Sequence, residues 1–187
     1  MKTSTPPPEE MAQHVARFEA LQPMAAMSDP ELPLEARDKI FSRKLIPVVS
    51  PKGGKTPFGA AGIRDRDFSI TYAVCPPGTG PGLHAHHRTV ETFTVIRGRF
   101  CFDWGDAGEH SVELGPLDVF SVPPGVCRGF TNVSAEEGVL QVLITGGIHD
   151  MNDIAFPPAM ERDIAAISPK ALEKFKGMGL SFDAGVE

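Results

Sequence analysis

The sequence is poor in cysteine, in positive charge and in long apolar runs. Three cysteines, Cys75, Cys101 and Cys127, stand among 187 residues, and no two are spaced as Cys-x-x-Cys. An odd count without paired spacing excludes a disulfide framework. Each reads as a small buried hydrophobe in a reducing, cytoplasmic setting. Lysine and arginine number 18 against 24 acidic residues, a formal net charge of −6, which disfavours a nucleic-acid or anionic-membrane surface. No apolar run approaches the ~20 residues of a bilayer span. The opening MKTSTPPPEEMAQ lacks the apolar stretch of a signal peptide. One Trp and one Tyr leave the aromatic content to twelve Phe.

Hydrophobic residues make up 41% of the chain, enough for a core, while 19 Gly and 18 Pro call for many turns and exclude a long helical bundle. Met11, Val15, Phe18 and Leu21 recur at helical spacing and predict a helix from about Pro8 to Gln22, with Glu9 and Glu10 in its first turn and Pro23 as its stop. A second short helix is expected within Pro33–Arg43. Ser168-Pro169 and Gly177 bracket a third. The Gly-Gly-Lys-Thr at 53–56 lacks the earlier glycine of a phosphate loop, since position 49 is Val, and that reading is rejected.

From Asp67 the period changes to two. Phe68, Ile70, Tyr72 and Val74 alternate with Ser69, Thr71, Ala73 and Cys75, the pattern of a half-buried strand. Short strands separated by tight turns continue to Thr145. The series predicts an all-β antiparallel sandwich or barrel. Gly78–Gly82 leads to a strand and not a helix, which removes a dinucleotide-binding reading. The expected organisation is an N-terminal arm with lead-in strands over 1–64, the barrel over 65–147, and a C-terminal helical arm over 148–187.

The chemistry concentrates between Gly78 and Gly98. His84 and His86 are two apart and share a strand face. Glu91 lies at an odd offset, so the polar 87–90 stretch must turn for its carboxylate to meet them. Two imidazoles and a carboxylate then bind one divalent transition metal and leave positions open. Fe(II) suits such a set best, with Mn, Ni and Zn as alternatives. His87 points away on the same strand and reads as a non-ligand. His149, past the last strand, reads as a solvated turn residue. Asn132 reads as the stabiliser of the turn after its strand.

The stretch Gly78, five residues, His84-x-His86, four residues, Glu91, six residues, Gly98 resembles the first motif of the cupin superfamily. Pro123-Pro124-Gly125 through Asn132 resembles the second. The resemblance covers roughly residues 65–147 and not the arms. It implies a cupin-type, jelly-roll-like β-barrel, a metal site on His84, His86 and Glu91, and a homodimer. It also implies a metal-dependent enzyme of oxygenase or isomerase/lyase type acting on a small organic, anionic molecule. The runner-up is a non-catalytic protein that binds a small anionic ligand. Two departures stand out. Leu117 occupies the slot of the glycine that opens the second motif, and Arg128 stands where the last metal ligand is expected. A guanidinium has no lone pair for a metal. Arg128 either faces the cavity and anchors an anionic substrate group, or pairs with Glu91 and weakens the metal site. Tyr72, Phe93 and Phe102 are the remaining candidates for the pocket wall.

Overall fold

A computed structural model describes residues 1, 3–52, 61–146 and 151–186. The 53–56 stretch and His149 lie outside the described residues. The expected all-β architecture is present. Strands β1 (Lys44–Pro51), β2 (Ile63–Arg66), β3 (Ser69–Cys75), β4 (Ala85–His86), β5 (Val90–Arg97), β6 (Phe100–Trp104), β7 (His110–Leu114), β8 (Val119–Val122), β9 (Arg128–Asn132), β10 (Gly138–Thr145) and β11 (Ile154–Ala155) follow in chain order. One sheet runs β2-β1-β3-β10-β5-β8 and a second β7-β6-β9, while β11 pairs with β4. All pairings are antiparallel except β1 with β2. Among the described residues no helix is long and apolar enough to cross a membrane.

Two cores hold the molecule. The barrel core packs Phe93, Phe100, Phe102 and Phe130 with Val95 and Leu140 from the two sheets. Phe93 meets Phe102 at 5.1 Å and Phe130 at 5.4 Å between ring centroids, within the range for favourable aromatic pairs. The second core joins the arms. Helix α2 (Leu34–Ile40) contributes Ala36 and Ile40, α3 (Pro158–Ile167) contributes Ile164, and α4 (Pro169–Gly177) contributes Ala171 and Phe175. Ion pairs of Lys39 with Asp163 and of Lys170 with Glu31 link the two arms on the outside.

Helices α2 and α4 form where the sequence places them, and Ser168 caps α4 by accepting from the Ala171 backbone N–H. Helix α3 has no counterpart in the expectation, although Pro158 at its start and Met160, Ile164 and Ile167 at spacings of four and three carry the signal. The N-terminal helix is a correction. It ends after one turn, α1 (Pro8–Ala12), and Phe18–Ala20 forms a separate 3₁₀ turn. No residue of α1 is buried and its cap makes no side-chain hydrogen bond, so nothing offsets the entropy cost of a short isolated helix.

The second motif's missing glycine leaves a trace in the backbone. Gly78, Gly98 and Gly125 all have positive φ, and so does Leu117, at 73°. The Leu117 turn is kept because its N–H donates to Val95 O and Val95 N–H donates to Asp118 O. Asn132 holds the turn after β9, donating to Cys75 O and Glu136 O and accepting from Ser134 N–H.

Candidate metal centre

The metal-ligating candidates converge because a turn is pinned from outside the barrel. His84 pairs backbone to backbone with Arg128 in an isolated antiparallel bridge, and His86 lies in β4 opposite Ile154 of β11. Between His86 and Glu91 the chain must reverse which face it presents. Asp153 holds that reversal: its backbone O accepts from His87 N–H at 2.9 Å and its Oδ1 from Arg88 N–H at 2.8 Å. Strand β5 then turns Glu91, Phe93 and Val95 inward. His84, His86 and Glu91 are buried, and their ligand atoms lie within 4.8 Å of one another. His84 Nε2 and His86 Nε2 stand 3.8 and 3.7 Å from Glu91 Oε2.

Each imidazole is oriented through its other nitrogen. His84 Nδ1 donates to Gly82 O at 2.8 Å. His86 Nδ1 donates to Thr89 Oγ1 at 2.8 Å, and the Thr89 hydroxyl donates to Asp153 Oδ2 at 2.5 Å. Asp153 Oδ2 also lies 3.3 Å from His86 Nδ1. These bonds fix the tautomer with the proton on Nδ1 and leave the Nε2 lone pairs facing Glu91. Burial, then the charge of Arg128, lowers the His84 pKa and keeps it neutral. Burial alone would raise the Glu91 carboxyl, but the charge of Arg128 beside it holds it well below the usual carboxylate range. For Asp153, burial is likewise outweighed by the bonds from His86 and Thr89. Two imidazoles each tied through Nδ1, beside one ionised carboxylate, fit a divalent transition metal.

Arg128 lies beside this set, fully buried at 0% exposure. Its Nε donates to Glu91 Oε2 at 3.1 Å, its Nη2 donates to the same oxygen, and its Nη1 donates to His84 O at 3.1 Å. The Glu91 pairing is therefore the geometry present. The expected turn of Arg128 toward an anionic substrate is absent, because Glu91 and the His84 carbonyl take its donors.

A cavity of about 120 Å³ opens against His84, His86 and Glu91. Its wall includes Thr71 and Ala73 of β3, Phe130 of β9, Phe41 and Leu45 from the N-terminal side, and Phe156 from the C-terminal side. Arg128, Tyr72, Phe93 and Phe102 are not among its lining residues. Tyr72 is on the opposite face of β3, its ring 5.9 Å from that of Phe18. The inward face of β3 is the small one, Ser69, Thr71 and Ala73. Phe93 and Phe102 sit one layer deeper, behind Phe130. His87 is exposed. Sequence reasoning missed Asp153 altogether. The available signal was an acidic residue in the short segment after the last barrel strand.

Residues 71–145 match the family model described as "Cupin domain". They form a cupin domain. No curated protein matches the chain. Among solved structures, the chain is similar to one described as DMSP lyases, at 19% identity over 56% of this chain and 48% of that one, with a TM-score of 0.45. It therefore spans about half the length of that structure. It is also similar to an uncharacterized conserved protein with a double-stranded β-helix domain from Klebsiella pneumoniae (23% identity, 43% and 69% of the two chains, TM-score 0.40). A third is the cupin domain of Cnp3 from Schizosaccharomyces pombe (16% identity, 55% and 65%, TM-score 0.41).

Proposed function

We propose that this cupin holds one divalent transition metal, with Fe(II) favoured, on His84, His86 and Glu91. With it the protein acts as a metal-dependent enzyme on a small organic molecule, by oxygenase-type or isomerase/lyase-type chemistry. The observation that carries this reading is the orientation of the two imidazoles, each tied through Nδ1 so that Nε2 faces one ionised carboxylate. When bound, a metal with two His and one carboxylate supplies a Lewis-acidic, redox-capable centre with open positions. The protein's own part is to hold three donors in fixed tautomers, to keep Glu91 ionised through Arg128, and to surround the substrate with apolar wall. With Arg128 neutralised by Glu91, the charge open to an anionic substrate group is that of the metal.

The second reading is a ligand-binding cupin without catalysis. It is favoured by one observation, that two donors of Arg128 already occupy Glu91 Oε2. Metal analysis of tag-free protein separates the two. Near one transition metal per chain, lost in His86→Ala without unfolding, is the expected result. Metal below a tenth of stoichiometry, with no uptake on reconstitution, favours the binder. A cytoplasmic homodimer belongs to the same proposal. It is supported by three unpaired cysteines and by arms whose Met11, Val15 and Phe18 stay exposed. Light scattering that shows only a species near 20.1 kDa would remove the dimer.

A further inference from the structure

The metal-binding candidates come from the cupin domain, but most of the cavity wall does not. More than half of the lining residues lie outside 71–145, in the segment that ends α2 and forms β1 and in the segment from Met151 onward. The cavity therefore sits between the barrel core and the core shared by the arms. Its chemistry is narrow. Among the described lining residues there is no Lys, Arg or Asp, and the one carboxylate, Glu91, is ion-paired with Arg128. Away from His84, His86 and Glu91, the polar side chains on the wall are the hydroxyls of Ser42, Ser50, Ser69 and Thr71.

Ser42 differs from the other hydroxyls. The residue is 3% exposed, and its buried Oγ has the Cys75 thiol beside it as a weak hydrogen-bond partner and no stronger one. The Cys75 thiol is close by, pushed up to about 11 by burial and so protonated, and it is a weak partner for a hydroxyl. A buried hydroxyl whose one partner is a thiol is under-satisfied, and native proteins leave few of them. A serine has one side-chain torsion and reaches a new acceptor or donor by changing a single rotamer. Size narrows the ligand further. An apolar cavity of about 150 Å³ accommodates benzene, so about 120 Å³ takes a body close to one six-membered ring.

We propose that the cavity beyond the metal centre receives an uncharged, mainly apolar small molecule about the size of one ring, and that its single neutral polar group, a hydroxyl or carbonyl, is met by Ser42. This substrate class rests on the metal-enzyme reading for its catalytic use, but its recognition belongs to the arms and does not need the metal. An ionic group carried into this wall finds no partner of opposite charge and loses its hydration.

The test uses full-length metal-free protein, with toluene, benzyl alcohol, benzoate and benzylammonium as probes followed by ligand-observed NMR. Benzyl alcohol is expected to bind at least tenfold more tightly than benzoate or benzylammonium. Ser42→Ala removes a buried hydroxyl held by a thiol alone and is expected to fold. It should weaken benzyl alcohol three- to tenfold and leave toluene unchanged. Benzoate binding as tightly as benzyl alcohol, no binding of any ring, or a Ser42→Ala protein that still prefers benzyl alcohol over toluene as wild type does would each overturn the proposal. Because no metal is present, a chain that binds the neutral ring yet takes up no metal refutes only the enzyme reading. A chain that takes up metal and rejects all four probes refutes only this one.

Discussion

Asp153→Asn tests whether a residue outside the cupin domain governs the metal centre. The side chain is 1% exposed and makes contacts of two kinds. Oδ2 accepts the Thr89 hydroxyl that itself accepts from His86 Nδ1, and Oδ1 accepts Arg88 N–H. An amide of the same shape offers one acceptor and one donor group. If its oxygen stays on Arg88 N–H, its NH2 faces the Thr89 hydroxyl and His86 Nδ1–H. If it flips, NH2 faces Arg88 N–H. Either way one donor meets a donor, and either the imidazole or the 87–89 turn loses its anchor. Loss of such an outer partner typically costs 10- to 100-fold in metal affinity, which is about 1.4–2.7 kcal/mol. Competition titrations of Zn²⁺ against a chromophoric chelator would read this directly, with Asp163→Asn on the surface as control. Thr89→Val should lose part of the same affinity, because the direct 3.3 Å contact between Asp153 and His86 remains. An Asp153→Asn protein that binds Zn²⁺ within twofold of wild type would refute the reasoning.

Other outcomes follow from single features. Arg128→His should raise metal affinity by adding a third imidazole and freeing Glu91, measured by the same titration. Arg128→Ala leaves a buried carboxylate unpaired and should lower stability by about 3–5 kcal/mol in denaturant melts, while increasing metal uptake. A loss of metal on Arg128→Ala in folded protein would contradict the view that the guanidinium competes for Glu91. Leu117→Gly relieves a left-handed residue that is 80% exposed. The gain of about 1–2 kcal/mol, less about 0.5–1 for glycine entropy, should appear as a modest rise in Tm, and a fall would show that the Leu side chain contributes there. Glu91 and Asp153 both have folded pKa values depressed below their unfolded ones. Their stabilisation is fully present above the unfolded values near ~4 and is lost as pH falls further. Thermal melts should be flat above about pH 7, decline below the unfolded His value near ~6.5 because buried His84 resists protonation, and drop steeply below 4, less steeply in Asp153→Asn.

The sequence by itself determined the strands and the ligand set. A two-residue period marks β3 and β5 because one face of each meets a core, and His84-x-His86 shares a face because side chains alternate along a strand. The spacing to Glu91 was readable because the polar 87–90 stretch admits a turn and not a continued strand. The departures at Leu117 and Arg128 were also legible, as residues whose chemistry does not suit their motif positions. Tertiary structure decided the rest. On β3 the apolar side, Ile70 and Tyr72, looked like the core face, yet the small side faces the cavity because the N-terminal arm supplies a second apolar surface outside the sheet. Arg128 was left between two partners by the sequence, and burial beside an ionised Glu91 selected the ion pair. Asp153 lies 67 residues from His86, in a short segment without its own periodicity, so only folding the C-terminal arm back along β4 brings its carboxylate to the imidazole. The cavity wall belongs to the same class: it is assembled from chain segments on both sides of the barrel, and no local pattern encodes a surface shared between two cores.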